Sequence, residues 1–327
     1  MTAIIILNWN GSADTIECLQ SLQTVQEDYF CVVADNGSSD NSIYNIEQYL
    51  NRTGIVHRTA MHGEKLDSTP ANHEVIIYKI SDNLGFAKGN NEALRFISSS
   101  SPDNYLLLNN DTIVEPDFLR ELLRFADKHP HIHALTPLIC YHCDHDIVWN
   151  AGGKQFCGFR KYFYAKQPLQ NIKEKDHIMV TFLTGCALFF TPNLLREDGG
   201  LFTEKFFFGE EDFNFCLQMN KRKKPMACVL TSKIYHKVSA SVAKHSSLGK
   251  TYIYYLNRFI DIRLNTSNTY YWLWSRFYIN YVMVLLYRKH ITLKRIISFV
   301  KTLLTEAREK DYVTQQDFIE AIQNIEA

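Results

Sequence analysis

The first 140 residues alternate short apolar runs with segments whose apolar positions recur every three or four residues. Residues 3–7 are an unbroken apolar run ended by Asn8, which predicts a buried strand, and residues 15–23 predict a helix. A second strand is expected over 30–34, then a polar turn, Asp35-Asn36-Gly37-Ser38-Ser39-Asp40, and a helix through Leu50. Strands over 75–80 and 105–108 alternate with helices over 86–97 and 115–128; Pro116 falls in the first turn of the last, where a missing N–H costs little. Strands alternating with helices predict βαβ units, so the class is α/β, with a mostly parallel central sheet flanked by helices. Ligands sit at the carboxyl ends of such strands. The polar clusters Asn8-Trp9-Asn10-Gly11, Asp35-Asn36-Gly37-Ser38 and Asn109-Asn110-Asp111 each follow a strand, so chain order places them on one edge.

Residues 58–74 interrupt this rhythm with a polar stretch, read as a surface insertion. From Lys154 the pattern turns toward strands, over 154–164, 178–183 and 187–191, predicting a mixed half that completes the sheet and holds an acceptor. Residues 239–250 are small, polar and expected to be mobile, and the tail beyond them reads as helical. This divides the chain into a catalytic domain, 1–240, and a helical C-terminal extension, 241–327. Residues 270–287 are rich in Tyr and Trp, but Arg276 and Asn280 leave an apolar remainder shorter than the ~20 residues of a spanning helix. An interfacial or buried helix is expected there. Residues 292–308 carry an apolar stripe (Leu293, Ile296, Ile297, Val300, Leu303, Leu304) beside Lys294, Arg295, Lys301 and Arg308, which suits either an anionic membrane surface or packing on the catalytic domain.

The 327 residues are 46% apolar, enough for a sizeable core, and 35 basic side chains balance 35 acidic ones, so no overall field points to nucleic acid. Eight scattered cysteines lack the dense spacing of a disulfide scaffold and favour free thiols in a reducing cytosol. The first residues lack the basic region and cleavage site of a signal peptide. A cytoplasmic protein, peripheral on the inner membrane surface, is the expectation.

Four groups can carry chemistry. Asp111, after an apolar strand, is placed to hold a divalent cation on a diphosphate, although Asn and Asp are also ordinary turn residues. Glu210-Glu211-Asp212 opens a helix over 212–220 behind Phe206-Phe207-Phe208-Gly209. A carboxylate there can take a proton from an acceptor hydroxyl, while acidic residues at a helix N-terminus are also favoured electrostatically. His236, just after an expected strand, is a metal ligand or a structural histidine. Cys140-x-x-Cys143 with His142 and His145 is half of a zinc pattern without a second half. Asn83 to Asn91 lacks both the P-loop and the dinucleotide fingerprints.

In this order and spacing the motifs resemble those of the bacterial family-2 glycosyltransferases, in particular the branch that includes rhamnosyltransferases of surface polysaccharides. The matching residues are 4–11, 35–40, Asp82-Asn83-Leu84-Gly85-Phe86-Ala87-Lys88-Gly89-Asn90-Asn91, Leu106 to Thr112, Ala151-Gly152-Gly153, Thr184-Gly185-Cys186-Ala187, Gly209 to Phe213, and His236-Lys237. The resemblance implies a GT-A fold, a nucleoside-diphosphate sugar donor, a glycan or lipid-linked glycan acceptor, and transfer with inversion. It places Asn8, Trp9, Asp35, Asn83, Gly85, Asn109 and Asn110 at the nucleotide sugar, Asp111 and His236 at Mg²⁺ or Mn²⁺, and Thr184, Gly185 and Cys186 beside the acceptor. Asp212 matches the base, with Glu211 as its fallback. Asn109 stands where the family often has another Asp. Two other readings remain. A nucleotidyltransferase would usually carry a Gly-rich basic loop where Asn8-Trp9-Asn10-Gly11 stands. A non-catalytic sugar-binding protein would not need Asp111, Glu211 and Asp212.

Overall fold

The structure, a computed structural model, describes residues 1–238 and 248–326. Strands β1 (Thr2–Asn8), β2 (Tyr29–Asn36), β3 (His57–Met61), β4 (Val75–Ile80) and β5 (Asn104–Asn109) form a parallel half-sheet in the order β5-β1-β2-β4-β3. The apolar runs of β1, β2 and β5 are continuous because both faces are covered. Ile4, Ile6, Cys31, Val33, Leu106 and Leu108 join one buried cluster, with helices α1 (Ser12–Leu22), α2 (Ser42–Thr53) and α4 (Phe118–Lys128). Ala3, Ile5, Phe30, Val32 and Leu107 join the other, with α3 (Gly85–Phe96).

Beyond β5 the sheet becomes mixed. The strands β6 (Thr112–Val114), β7 (Ala134–Tyr141), β8 (Asp144–Asn150), β11 (His177–Val180), β12 (Ala187–Phe190) and β13 (Met226–His236) extend it through β12 and β7 to β13 and β11. Strands β9 (Gly153–Phe156) and β10 (Phe159–Tyr162) form a separate antiparallel hairpin, so the expected strand over 154–164 is two strands around a Cys157-Gly158 turn. The polar stretch 58–74 is not wholly an insertion, since β3 pairs in parallel with β4 at the sheet's edge. An edge strand can carry polar residues such as the half-buried Arg58 and the exposed Thr59, and so does not read as buried. His236 closes β13 rather than following it.

Residues 239–247 and the domain boundary at 240/241 lie outside the described residues, and 248–250 open α6 (Leu248–Asn265). This helix is buried with the catalytic sheet: Tyr252, Leu256, Phe259 and Ile260 share a cluster with Phe182, Phe213 and Leu107. Helices α7 (Asn268–Arg288), α8 (Leu293–Glu309) and α9 (Gln315–Glu326) follow. The stripe on α8 packs inward through Ile296 and Leu303, with Leu293 and Ile297 left exposed. Among the described residues, no helix is long and apolar enough to cross a membrane.

Candidate active site

The parallel register sets Asn8 beside Asp35 and Leu7 beside Asn109, so the carboxyl ends of β1, β2 and β5 meet as the sequence predicts. Asn8 Nδ2 donates to Asp35 Oδ1 at 2.7 Å, and the Ser38 hydroxyl donates to the same oxygen at 2.6 Å. Ser38 N–H donates to Asp35 Oδ2 at 3.1 Å. On the other side, Thr15 Oγ1 donates to Asn8 Oδ1 at 2.8 Å and accepts from Asn110 Nδ2 at 3.1 Å. Thr15 and Ser38, which sequence reasoning did not single out, therefore lock the edge together. Trp9 stands 55% exposed at its rim. Asn83 Oδ1 accepts from Asn36 Nδ2 at 3.0 Å and Gly85 N–H at 2.9 Å, so it shapes the turn into α3. Gly85 has φ +79, and a Cβ there would fall 2.1 Å from the Phe207 carbonyl oxygen. Only glycine permits this approach, which joins the turn into α3 to the segment before the acidic turn.

Asp111 lies between β5 and β6, and β6 pairs with β13 so that His236 sits opposite Thr112. The His236 Nε2 thereby faces Asp111 Oδ1 at 3.1 Å, and the ring lies edge-on to Trp149 at 4.5 Å. The other ring nitrogen, Nδ1, is buried without a hydrogen-bond partner. An imidazole and a carboxylate side by side are groups that a divalent cation such as Mg²⁺ or Mn²⁺ accepts as ligands. Among the described residues no three His, Cys, Asp or Glu side chains converge. Asn109 is tied by its N–H to the Cys186 carbonyl at 2.8 Å. The Cys140 and Cys143 thiols are free, one buried and one exposed.

Gly209 and Glu210, both in the left-handed region at φ +76 and +73, turn the chain into α5 (Glu211–Lys221). Arg160 Nη1 donates to both oxygens of Asp212, at 3.2 and 3.3 Å. Rings of Tyr162, Phe182 and Tyr254 surround its guanidinium at 5.7, 5.4 and 5.9 Å. Burial opposes the charge on Arg160, but Asp212 and the tyrosines hold its pKa well above the ordinary value. Burial, and then the charge of Asp212, push the Glu211 carboxyl up to about 8, and its Oε2 is buried without a partner. Its surroundings therefore favour the protonated form of Glu211. A raised carboxyl favours the folded state at low pH and loses that contribution as pH rises through the folded value. Unfolding free energy is expected to decline as pH rises from the ordinary carboxyl value of 4.5 through about 8, and Glu211→Gln to flatten that decline. Parallel urea titrations of both proteins across that range check this; identical slopes would refute it.

The two acidic centres lie at the ends of one chain of contacts. His236 touches Trp149, Trp149 lies 6.1 Å from Tyr162, and Arg160 stacks over Tyr162 while holding Asp212. Thr184, Gly185 and Cys186 lead into β12 beside this path. Cys186 is buried in the apolar layer, while Gly185 lies against Phe86, whose ring is 3.2 Å from a Cβ built there. Trp149, Tyr162 and Arg160 had no signal in the sequence beyond an aromatic-basic run.

A model described as glycosyl transferase family 2 matches residues 3–191. The fold is similar to that of TarS residues 1–349 from S. aureus, at 14% identity and TM-score 0.55, covering 98% of this chain and 80% of that one. It is also similar to the mannosyltransferase PcManGT from Pyrobaculum calidifontis, solved with GDP-Man and Mn²⁺, at 13% identity and TM-score 0.52 over 80% of this chain and 61% of that one. GalNAc-T7, solved with UDP, GalNAc and Mn²⁺, aligns at 12% identity and TM-score 0.58 over 99% of this chain and 56% of that one. No curated protein matches the sequence significantly. Since the family model spans more than half of the chain and the sheet has the architecture of these transferases, the protein belongs to glycosyl transferase family 2 and is a glycosyltransferase of GT-A fold.

Proposed function

We propose that this enzyme transfers a sugar, with rhamnose the member of the class its motifs suggest, from a nucleoside-diphosphate donor to a hydroxyl of a glycan or lipid-linked glycan, with inversion. The observation that carries this reading is the pairing of Asp111 with His236 at one end of the aromatic path and of Asp212 with Arg160 at the other. The Asn8–Asp35–Ser38 network holds the nucleoside, and Asp111 and His236 are the residues that would hold Mg²⁺ or Mn²⁺. A bound cation offsets the charge that develops on the departing phosphate. Asp212 takes the acceptor proton from the face opposite the diphosphate. Glu211 shapes the acceptor pocket with Thr184 and Gly185.

A thermal-shift panel of nucleotide sugars with Mg²⁺ or Mn²⁺ tests the donor, since a ligand at 100 times its Kd stabilises the fold by about 2.7 kcal/mol. Transfer to glycan acceptors then separates an enzyme from a binding protein. Asp35→Ala is expected to weaken nucleoside-diphosphate binding by about tenfold or more, because a hydrogen bond to a charged group contributes roughly 1.5–3 kcal/mol. Calorimetry without acceptor measures it, and unchanged affinity would remove Asp35 from the nucleotide site.

The outer face of α7 supports a position on the membrane surface. Trp272, Leu273, Phe277, Val284 and Tyr287 are exposed there, and Arg288, Lys289 and Lys294 are exposed at its end. Aromatic residues beside basic ones suit the interface of an anionic bilayer. Trp272→Ser, Phe277→Ser and Tyr287→Ser together are expected to abolish co-sedimentation with anionic vesicles while leaving transfer to a soluble acceptor in place. A full-length chain that never co-sediments would leave this face without that role.

A further inference from the structure

Arg258, on α6, is fully buried, and its guanidinium reaches three parts of the site. Nε donates to Glu210 Oε1 at 2.5 Å and Nη2 to Oε2 at 3.1 Å. Nη1 donates to the carbonyl of Gly158, in the turn between β9 and β10. The guanidinium carbon lies 3.2 Å from the centre of the Phe213 ring, in the first turn of α5.

Each contact bears on the Arg160–Asp212 pair. Glu210 occupies a left-handed conformation that costs a residue with a side chain, and it persists only where the surroundings hold it. Glu211 and Asp212 follow it directly, so the angle at Glu210 aims them. Gly158 precedes Arg160 by two positions on the hairpin, so its carbonyl fixes the turn that aims Arg160. One cation thus holds the supports of both partners. The same helix adds two more ties to this segment. Asn257 Nδ2 donates to the Phe208 carbonyl at 2.8 Å, and Asp261 Oδ1 accepts from Asn214 Nδ2 at 2.5 Å.

We propose that Arg258 is a positioning residue for sugar transfer, acting through Glu210 and the Gly158 turn to set the Arg160–Asp212 pair against the acceptor. The inference rests on the reading of Asp212 as the proton acceptor. A buried ion pair by itself contributes little to stability that well-packed apolar residues of similar volume would not, so stability alone does not account for a guanidinium here. An apolar residue cannot grip a carboxylate on one side and a carbonyl on the other. The tail helix α6 is thereby part of the active site's framework, although it lies outside the residues matched by the family model.

The test uses the full chain with Arg258→Lys and Glu210→Gln, each alone and in the Asp212→Asn background. Turnover, KM, donor affinity by calorimetry and thermal midpoint are measured for all. Each single variant is expected to lower kcat by about 10- to 100-fold, the scale of a misplacement near 1 Å, with donor affinity nearly unchanged. In the Asp212→Asn background neither is expected to lower it further, because residues acting as one unit are not additive. Glu210→Gln keeps the side chain's shape and serves if Arg258→Lys does not fold. A lowered midpoint with wild-type kcat in the folded variants would reduce Arg258 to a core contact. An undiminished extra loss in the Asp212→Asn background would show that it does not act through Asp212. If Asp212→Asn alone kept full turnover, the base assignment would fall first, on its own measurement, and the positioning role with it.

Discussion

Replacing Asp212 with asparagine is expected to lower turnover by about 10²–10⁴-fold, the usual range for a lost general base, and to leave donor affinity nearly unchanged. Inversion requires the acceptor oxygen to attack opposite the departing diphosphate, so the proton acceptor must lie away from the Asp111–His236 end. Two adjacent carboxyls occupy the other end, and their surroundings differ. Burial and the neighbouring charge disfavour the Glu211 anion and raise its carboxyl above the ordinary value. A carboxyl whose surroundings favour its protonated form is the less available of the two to accept a proton. Asp212 faces the permanently charged Arg160, which takes one lone pair from each oxygen and leaves others for a hydroxyl. Glu211→Gln preserves the neutral, proton-bearing shape and is expected to cost less turnover than Asp212→Asn. Turnover and donor affinity of the two variants, measured side by side, decide the assignment. A larger turnover loss in Glu211→Gln would move the base role to Glu211, and equal loss of donor binding in both would assign the pair to the donor site.

Asp111→Asn is expected to lower turnover by about 10²-fold or more, the scale seen when one group that stabilises developing charge is removed. The substitution keeps size and takes away the anionic oxygen that a hard cation prefers. His236→Ala is expected to do the same to a smaller extent, because imidazole is the weaker of the two partners for Mg²⁺. A binding measurement separates this from a folding defect: Mn²⁺ should strengthen nucleoside-diphosphate binding to the wild type and not to Asp111→Asn. Wild-type turnover of Asp111→Asn in excess Mg²⁺, or unchanged coupling between Mn²⁺ and nucleotide, would refute the assignment.

The elements of the parallel half-sheet were legible because their physics is local. A strand covered on both faces is a nearly continuous apolar run, and residues 75–80 were read with their observed bounds. The same rule explains the miss at β3, where an edge strand with one open side carries His57, Arg58 and Thr59. The hairpin β9–β10 was read as one strand because its Cys157-Gly158 turn is short and the residues on both sides suit a strand.

The shared polar edge was likewise written in the sequence: three polar clusters follow three strands, and the parallel register of β5, β1 and β2 brings their ends together. The chain by itself also marked Asp111, Glu211, Asp212 and His236 as the groups able to do chemistry. Which of them face one another was a matter for the tertiary structure. His236 meets Asp111 because β13 pairs with β6, and Arg160 meets Asp212 because a hairpin folds onto the start of α5. Arg258 reaches Glu210 from a helix that reads in the sequence as part of a tail. Periodicity records what each residue needs from its immediate surroundings, namely burial or water, and so it reports elements. It does not record the partner that a buried charge will find, because that partner is supplied by chain pairing across large sequence separations. The direction of the α7 aromatic side chains was decided in the same way: Trp274 and Tyr278 turn into the core and Trp272 and Phe277 turn outward, since only one side of that helix meets α6 and the hairpin.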